Sequence, residues 1–557
     1  MLNLNGLLNL SSLLNLSGLL NLNGLLNLSG LLNLSGLSSL STLWNLCTLQ
    51  NLCTLCTCVT RMSRGTSQIR VTHLTSFHLV FLLLVGALPL RASDEATILA
   101  NEEIQGETYD IVILHGRVMD PEQRLDSVMN VGISGGTIVI VTADQLKGRR
   151  MIDASGLVVA PGFIDILSYD PVESGVWTKI ADGVTTNLAM HGGTVDPDQW
   201  YRAVARQKPP LNYGASFFYN QARMRLIGDR YAASTPAIRK ELVEVARKAL
   251  RRGALGVSFS LEYVPGVTGE EIIPVMALGA RHGVPAFFHA RYSDMEEPGT
   301  NLDGLREIIG YARKTGCAAH IGHINSTGGT FSMPRSIAML DSARSAGLDV
   351  TACVYPYTYW GTYLNSARFD AGWQERFHIS YGDLQLGGSR ERLTRETFLK
   401  NRRLGKLAVA YAIPDEDNRV ALRAPYVMIG SDAILEPGYN NHPRASGTFS
   451  RTIAVYVREQ KTISLMEAIA KMTLLPALRL ESASSSMKRK GRLQAGKDAD
   501  VVVFDAARIR DRSTVEHPET PSEGIHYVLV GGKVVMDEAG LHKNVRNGSP
   551  IRGHIVE

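Results

Sequence analysis

The chain has 557 residues, of which 45% are hydrophobic and 20% charged, and its formal net charge is +5. These averages are typical of one large or two medium globular domains, and they exclude a collagen, a disulfide-rich scaffold and a polar disordered chain. The charge is unevenly distributed, because residues 1–60 contain no Lys, Arg, Asp or Glu. The small positive excess therefore belongs to the rest of the chain and says little about partners.

The uncharged leader is built on a six-residue repeat, LLNLSG or LLNLNG, that is visible from Leu7 to Gly36. Leucine-rich repeats have periods of about 20 to 29 residues, and hexapeptide β-helices need several stacked rungs and a cap. Neither condition is met in this segment. We therefore interpret residues 1–61 as a translated DNA repeat upstream of the true start at Met62, in preference to a structural domain.

Residues 62–93 have the organisation of a secretory signal peptide. Arg64 and Arg70 make the start basic, and residues 77–90 form an apolar run of about 14 residues, shorter than the roughly 20 needed to span a membrane. We expect export to the periplasm or the extracellular space, with no stable membrane span once the signal is removed. An uncleaved N-terminal anchor is the alternative, because Leu90 and Arg91 make a poor cleavage site.

Short β-type runs separated by glycine turns mark both ends of the remaining chain. We predict that residues 94–160 and 485–557 together form one small β-sandwich, with the middle of the chain inserted as a separate domain. The runs lie at 109–114, 130–133, 137–141 and 157–160, and again at 500–504, 527–530 and 533–536.

The middle of the chain alternates eight apolar strand-like runs with amphipathic stretches such as residues 238–250. This alternation predicts an α/β fold of the (β/α)8 barrel type over residues 161–484, and a doubly wound sheet is the alternative. Residues 361–424, between the last two runs, are predicted to be an insertion that serves as a substrate lid or an oligomer contact. The runs lie at 159–167, 183–190, 211–218, 254–259, 284–288, 318–324, 348–355 and 426–430.

Four of these runs end in groups that suit metal chemistry, namely His191, His289, His323 and Asp432. Catalytic groups of such barrels lie at the carboxyl ends of the strands, so these four should converge on one rim. Three neutral protein ligands and an open position are typical of catalytic zinc, which makes water a nucleophile near neutral pH. Asp432 can take and return the proton as general base and acid. By strand alternation, His320 is expected to face the helix layer.

The motifs around these residues resemble the amidohydrolase superfamily in its D-aminoacylase branch, and most closely the N-acyl-D-glutamate deacylases. The resemblance extends from Tyr109 to the C-terminus, and it implies a β-sandwich and barrel hydrolase that removes the acyl group from N-acyl-D-amino acids. The motifs are IDASGLVVAPGFID at 152–165, LNYGAS at 211–216, HAR at 289–291, HINST at 323–327, YPY at 355–357, GSDA at 430–433, HPRASGT at 442–448 and GRLQAGKDAD at 491–500.

The resemblance also implies roles for individual residues. His289 and His323 would be metal ligands, and Asp432 would be the acid/base. Charge-assisted bonds from arginine suit a substrate carboxylate, although Arg444 could instead form an ion pair that holds its own loop. The residues expected to contact the substrate are Arg444, Arg291, Tyr355 and Asn325.

This chain departs from the family pattern at the end of the first barrel strand. The family has His-x-His there, where this chain has Leu167-Ser168-Tyr169, so a two-metal centre with the usual ligands is excluded. We expect one divalent ion, zinc by its ligand type, held by His289, His323 and His191, or no ion at all. Without an ion, the protein would be a non-catalytic barrel that binds acylated amino acids or peptidoglycan fragments.

The expected partner is a small molecule, an N-acyl amino acid. The basic runs at 390–403 and 488–490 lack interleaved aromatic residues, so nucleic-acid binding is not expected. The insertion at 361–424 is compatible with a homo-oligomer.

Overall fold

The computed structural model describes residues 108–292, 299–434 and 440–555 of the chain. The repeat leader at 1–61 and the proposed signal peptide at 62–93 lie outside the described residues.

The strands and helices of the described ranges follow one another as β-rich ends around an alternating β/α middle. The strands are β1 (Thr108–Asp120), β2 (Leu125–Ser134), β3 (Thr137–Thr142), β4 (Lys147–Asp153), β5 (Val158–Pro161), β6 (Phe163–Asp165), β7 (Val184–Thr194), β8 (Asn212–Phe218), β9 (Val257–Ser260), β10 (Ala286–His289), β11 (Ala319–Ile321), β12 (Val350–Val354), β13 (Trp360–Tyr363), β14 (Leu384–Leu386), β15 (Leu407–Ala410), β16 (Val427–Ile429), β17 (Val501–Phe504), β18 (Ile525–Val530), β19 (Lys533–Asp537) and β20 (Gly540–Leu541). The α-helices are α1 (Glu173–Ala181), α2 (Pro197–Gln207), α3 (Tyr219–Ile227), α4 (Pro236–Arg251), α5 (Gly269–Arg281), α6 (Asn301–Thr315), α7 (Met333–Ser345), α8 (Trp373–Phe377), α9 (Arg395–Arg403), α10 (Asp415–Arg423), α11 (Arg444–Arg451), α12 (Leu465–Met472) and α13 (Leu474–Leu480). Short 3-10 turns lie at Leu261–Tyr263, Ala367–Phe369, Tyr381–Asp383 and Ser485–Arg489, and a π-helical segment lies at Thr452–Glu459.

Strands from both ends of the described chain build one sheet, in the order β20-β19-β18-β17-β5-β1-β2-β3, with β4 paired to β1. The sheet folds back on itself, because Ile138 N donates to Lys497 O and Ala499 N to Gly136 O, both at 2.9 Å. Its inner face is lined with β-branched and leucine side chains from both ends of the chain. This confirms the predicted small β-structure formed jointly by the two ends.

The middle of the chain forms a parallel eight-stranded sheet in the order β16-β12-β11-β10-β9-β8-β7-β6. The first and last strands meet where they end: Asp432 N donates to Leu167 O at 2.7 Å, and Ser168 and Ala433 form a parallel bridge. Each of the eight predicted runs overlaps one strand of this sheet. The (β/α)8 prediction is therefore confirmed, and the doubly wound alternative is wrong.

Apolar side chains fill the barrel interior, among them Ile164, Leu188, Phe287 and Met428. His320 pairs with Phe287 in the neighbouring strand, and their rings lie 5.0 Å apart. Paired residues of adjacent strands point to the same face, so His320 lies inside the barrel and the expectation that it faces the helices was wrong. The alternation does not extend as far as His323, because β11 ends at Ile321 and His323 is in a turn with φ +32°.

Between β12 and β16 the chain adds a small antiparallel sheet in the order β13-β15-β14. Its core is aromatic, with Trp360, Phe369, Trp373 and Phe398 packed on one another. The helix that follows it, α10, packs against α7 and the last barrel strand. No helix in the described ranges is both long enough and apolar enough to cross a membrane.

A buried ion pair reinforces the junction of the first and last barrel strands. Lys179 of α1 pairs with Asp165 of β6, and the two side chains are only 2% and 0% exposed. Asp165 also accepts from Ser431 N at 2.9 Å, and Lys179 Nζ contacts Ser168 Oγ at 2.9 Å. The pair thus connects a barrel helix with the strands that close the barrel.

Replacing Lys179 with methionine should lower the free energy of unfolding by about 3–5 kcal/mol, because it leaves the Asp165 carboxylate buried without a counter-ion. Urea denaturation followed by circular dichroism measures the change. Lys240→Met, at an exposed position of α4, is the matched control and should change stability little. Equal stability of the two variants would contradict the assigned role.

Candidate functional site

Four buried side chains meet at the carboxyl ends of the barrel strands. His191 lies in β7, His289 ends β10, and His323 and Asp432 follow β11 and β16. Ligand atoms of the three histidines lie within 4.8 Å of one another. The strand-end rule therefore placed all four residues correctly on one rim.

His191, His289 and His323 form a histidine cluster. Each of them uses one ring nitrogen to contact a residue that is not one of the three. His191 Nδ1 lies 2.5 Å from Asp432 Oδ1, His289 Nε2 lies 2.7 Å from Glu262 Oε2, and His323 Nδ1 lies 3.0 Å from Ser326 Oγ. The opposite nitrogens face one another: His289 Nδ1 and His323 Nε2 are 3.1 Å apart. Outer partners on metal-binding imidazoles commonly set the tautomer and orientation in this way.

These inner nitrogens fit one divalent cation. His191 Nε2 is buried and has no hydrogen-bond partner among the described residues, as expected for an atom that needs a ligand. Burial lowers the pKa of His289 and of His323, so both rings are neutral and each presents a lone pair. Neutral imidazole is the donor that zinc and similar ions prefer.

Asp432 is the charged centre of the site. Arg444 Nη2 donates to its Oδ2 at 2.8 Å, and His191 contacts its other oxygen. Burial alone would raise the pKa of Asp432, but Arg444 and His191 outweigh burial and hold that pKa below its ordinary value. The carboxylate is therefore ionised at neutral pH and able to accept a proton.

Comparison with known proteins agrees with this geometry. A model of the amidohydrolase family matches residues 410–536. The N-acyl-D-glutamate deacylase of Alcaligenes xylosoxydans xylosoxydans is 31% identical over 483 residues, which cover 78% of this chain and 95% of that protein. This chain belongs to the D-aminoacylase family of amidohydrolases.

Two further relatives support the family and the fold. The D-aminoacylase of the same organism is 28% identical to this amidohydrolase over 473 residues, covering 78% of this chain and 95% of the relative. The crystal structure of the N-acyl-D-glutamate deacylase from Bordetella bronchiseptica, complexed with zinc and a phosphonate inhibitor that mimics the tetrahedral intermediate, matches with a TM-score of 0.71. That match has 26% identity and covers 80% of this chain and 100% of the other.

Apolar and aromatic groups replace the two histidines that this amidohydrolase lacks at its first barrel strand. Leu167 packs into the barrel interior directly below the site. The neighbouring strand makes room for it with Gly430, where a Cβ would lie 2.8 Å from Leu167 Cβ. The Tyr169 ring lies 5.1 Å from the His191 ring. These replacements supply no further imidazole, which leaves three histidines whose ligand atoms are close enough together to hold one ion.

Arg444 is fully buried and largely occupied within its own loop. Besides Asp432 Oδ2, it donates to Asp432 O at 2.9 Å and Gly361 O at 3.1 Å, and its guanidinium lies 4.7 Å from the centre of the Tyr355 ring. The loop-fixing ion pair considered from sequence is thus present. Its Nη1 is buried without a partner among the described residues, which leaves one donor for a ligand.

Arg291 and Asn325, expected from sequence to contact the substrate, are engaged elsewhere. Arg291 pairs with Glu307 at 3.0 Å and donates to the Val267 carbonyl at 2.9 Å. Asn325 is fully buried and donates to Tyr355 O at 2.9 Å. The structure therefore places Tyr355 and Arg444 beside the cluster, whereas Arg291 and Asn325 hold surrounding segments.

Two further residues of this amidohydrolase's site, Glu262 and Arg368, were not expected from the sequence. Glu262 lies two residues after the end of β9, in the 3-10 turn Leu261–Tyr263, so the strand-end rule that identified the histidines also applies to it. Arg368 comes from the inserted segment, lies 3.0 Å from Glu262, and stacks 4.1 Å from the centre of the Trp360 ring. Nothing in the local sequence distinguishes Arg368 from other arginines, because only the docking of the insertion brings it to the site.

Glu262→Ala should weaken divalent-metal binding about 10- to 100-fold, because His289 loses the acceptor that orients its ring. Competition between the metal-free protein and a chromogenic chelator, with Co²⁺ as the probe, measures the affinity without relying on activity. Glu241→Ala, at an exposed position of α4, should leave it unchanged. Unaltered Co²⁺ affinity in Glu262→Ala would show that His289 does not depend on this carboxylate.

Proposed function

We propose that this protein is a metal-dependent hydrolase that removes the acyl group from N-acyl-D-amino acids and uses one divalent ion, zinc. The observation that carries the proposal is the convergence of three inward-facing histidine nitrogens with an ionised aspartate on the rim of the barrel. Support comes from the relatives, which are N-acyl-D-glutamate deacylase and D-aminoacylase.

His191, His289 and His323 would hold the ion. When bound, it would polarise the amide carbonyl and make a water molecule more acidic. A three-imidazole donor set with an open position is typical of catalytic zinc, and the Bordetella relative was solved with zinc.

Asp432 is the group that moves the proton in the proposed reaction. Its carboxylate oxygen accepts a proton from the attacking water and delivers it to the nitrogen of the leaving amino acid. Arg444 and His191 each hold one of its oxygens, so the carboxylate has a defined orientation before the substrate arrives. The positive φ of Asp432, +52°, places this side chain at a sharp turn directly after the strand.

The surroundings of the histidines favour amide hydrolysis by excluding bulk water. The Tyr263 ring lies 4.7 Å from the His289 ring, and Tyr355 lies 6.2 Å from His323. A low-polarity wall strengthens the electrostatic interactions inside the site. The unpartnered Nη1 of Arg444 supports a bond from this arginine to the substrate carboxylate.

The alternative from sequence, a barrel that binds acylated amino acids without turning them over, is not favoured. It was motivated by the replacement of the first-strand histidines with Leu167 and Tyr169. The remaining three histidines and Asp432 still form a complete arrangement for one ion and one proton acceptor.

Asp432→Asn should lower kcat/KM for N-acetyl-D-amino acids by about 10²- to 10⁴-fold, because an amide cannot accept the proton. Amine release from a panel of D- and L-substrates measures the change, and metal content measured in parallel shows that the ion is retained. Asp144→Asn, at an exposed position between β3 and β4 and outside the barrel, is the control. Undiminished turnover in Asp432→Asn would remove this residue from the proton-transfer role.

Purified wild-type protein should contain about one divalent ion per chain, and His289→Ala should lose most of it. Removal of the ion with a chelator should abolish hydrolysis, and added Zn²⁺ should restore it. Elemental analysis together with the activity assay checks both expectations. A wild-type enzyme that is active and free of metal would contradict the proposal, whereas substrate binding without turnover would favour the non-catalytic alternative.

A further inference from the structure

A cavity of about 470 Å³ lies beside the histidine cluster. Two of its walls belong to the site itself: Tyr169, whose ring contacts that of His191, and Tyr263, whose ring contacts that of His289. The cavity is therefore separated from the histidines by no more than these two tyrosine rings, which places it next to the reacting bond of a substrate.

Half of the residues that line the cavity are apolar or aromatic, among them Phe218, Met224, Val264 and Ile434, and the other half are neutral polar residues and one arginine. No Asp or Glu is among the described residues that line it, and Arg230 is their one charged residue. The Asn220 side chain is occupied by the backbone of Ser260, with contacts of 2.7 and 3.0 Å. The cavity therefore has a single positive end.

The loop that carries Arg230 is held in place on both sides. The buried Arg223 donates to Asp229 O at 3.3 Å and to Ala232 O at 2.5 Å, and it is itself paired with Glu271 at 2.9 Å. Gly266 N donates to Arg230 O at 2.9 Å. The backbone position of Arg230 is thus built into the fold.

Arg230 differs from the other arginines around the site in having no counter-ion. Arg291 pairs with Glu307, Arg368 with Glu262, and Arg444 with Asp432. In the part of the chain that the structure describes, the half-buried Arg230 side chain has no hydrogen bond or ion pair. A guanidinium in such a pocket is satisfied best by a carboxylate, which its planar fork binds with two parallel bonds.

We propose that Arg230 binds a second carboxylate of the substrate, at the end of an apolar arm that fills this cavity. The inference rests on the proposed deacylase function and identifies Arg230 as the residue that selects substrates with an anionic group remote from the reacting amide. Two parts of the substrate could supply that carboxylate, the side chain of the amino acid or a dicarboxylic acyl group.

The test compares kcat/KM for matched charged and neutral substrates in the metal-loaded enzyme. N-acetyl-D-glutamate and N-acetyl-D-glutamine differ at the amino-acid side chain, whereas N-succinyl-D-leucine and N-butyryl-D-leucine differ at the acyl group. In the wild type, kcat/KM should be higher for the charged substrate than for the neutral one in one of the two pairs. The pair that shows this preference identifies the source of the carboxylate. Arg230→Met should reduce that ratio about 10- to 100-fold, as expected for loss of a charge-assisted bond.

Arg225→Met provides the matched control, because Arg225 is an exposed arginine on the same segment, outside the cavity lining. Arg225→Met should leave the charged-to-neutral ratio of kcat/KM unchanged in both substrate pairs. Arg230→Lys should retain part of the preference for the charged substrate. A ratio that is the same in Arg230→Met and wild type, or that changes equally in Arg225→Met, would overturn the proposal.

Measurements of compound binding test the Arg230 site independently of the deacylase function on which the proposal rests. If the wild type hydrolyses none of the four compounds, calorimetry of the folded protein with each charged and neutral pair still tests the cavity. A charged compound that binds about 10- to 100-fold more tightly to wild type than to Arg230→Met supports the carboxylate site, although the proposed function fails. Equal binding to both proteins overturns the site.

Discussion

Asp432 connects the closure of the barrel with the chemistry of its rim. Its backbone N–H donates to Leu167 O where the first and last strands meet, and its carboxylate contacts His191 and Arg444. The same turn therefore completes the fold and aims the charged group. A shift of one strand relative to the other would move the aspartate away from the histidines, so the accuracy of the site depends on barrel closure.

Three pairs of compensating charges are buried at the site and at the closure of the barrel. Asp432 lies against Arg444, Glu262 against Arg368, and Asp165 against Lys179. An unpaired charge in a low-dielectric interior is costly, so each pair constrains the two segments that carry its partners. Arg368 thereby ties the inserted sheet to the end of β9, and Lys179 ties α1 to the strands that close the barrel.

The replacement of the first-strand histidines changes the site in a specific way. Leu167 extends the apolar interior of the barrel upward, and Gly430 leaves the space that it needs. Tyr169 places an aromatic ring against His191 and also lines the neighbouring cavity. The loss of ligands for a second ion thus coincides with a tyrosine wall that connects the remaining site to the cavity containing Arg230.

The sequence by itself determined the eight barrel strands, the joint β-structure of the two ends and the strand-end residues His191, His289, His323 and Asp432. These depend on local periodicity and on the rule that parallel strands bring their carboxyl ends together. Glu262 could have been found by the same rule.

Only the tertiary structure decided the direction of His320, the approach of Arg368, the partners of Arg291 and the isolation of Arg230. Each depends on contacts between segments distant in sequence, and no local pattern records which charges will meet when the chain is folded.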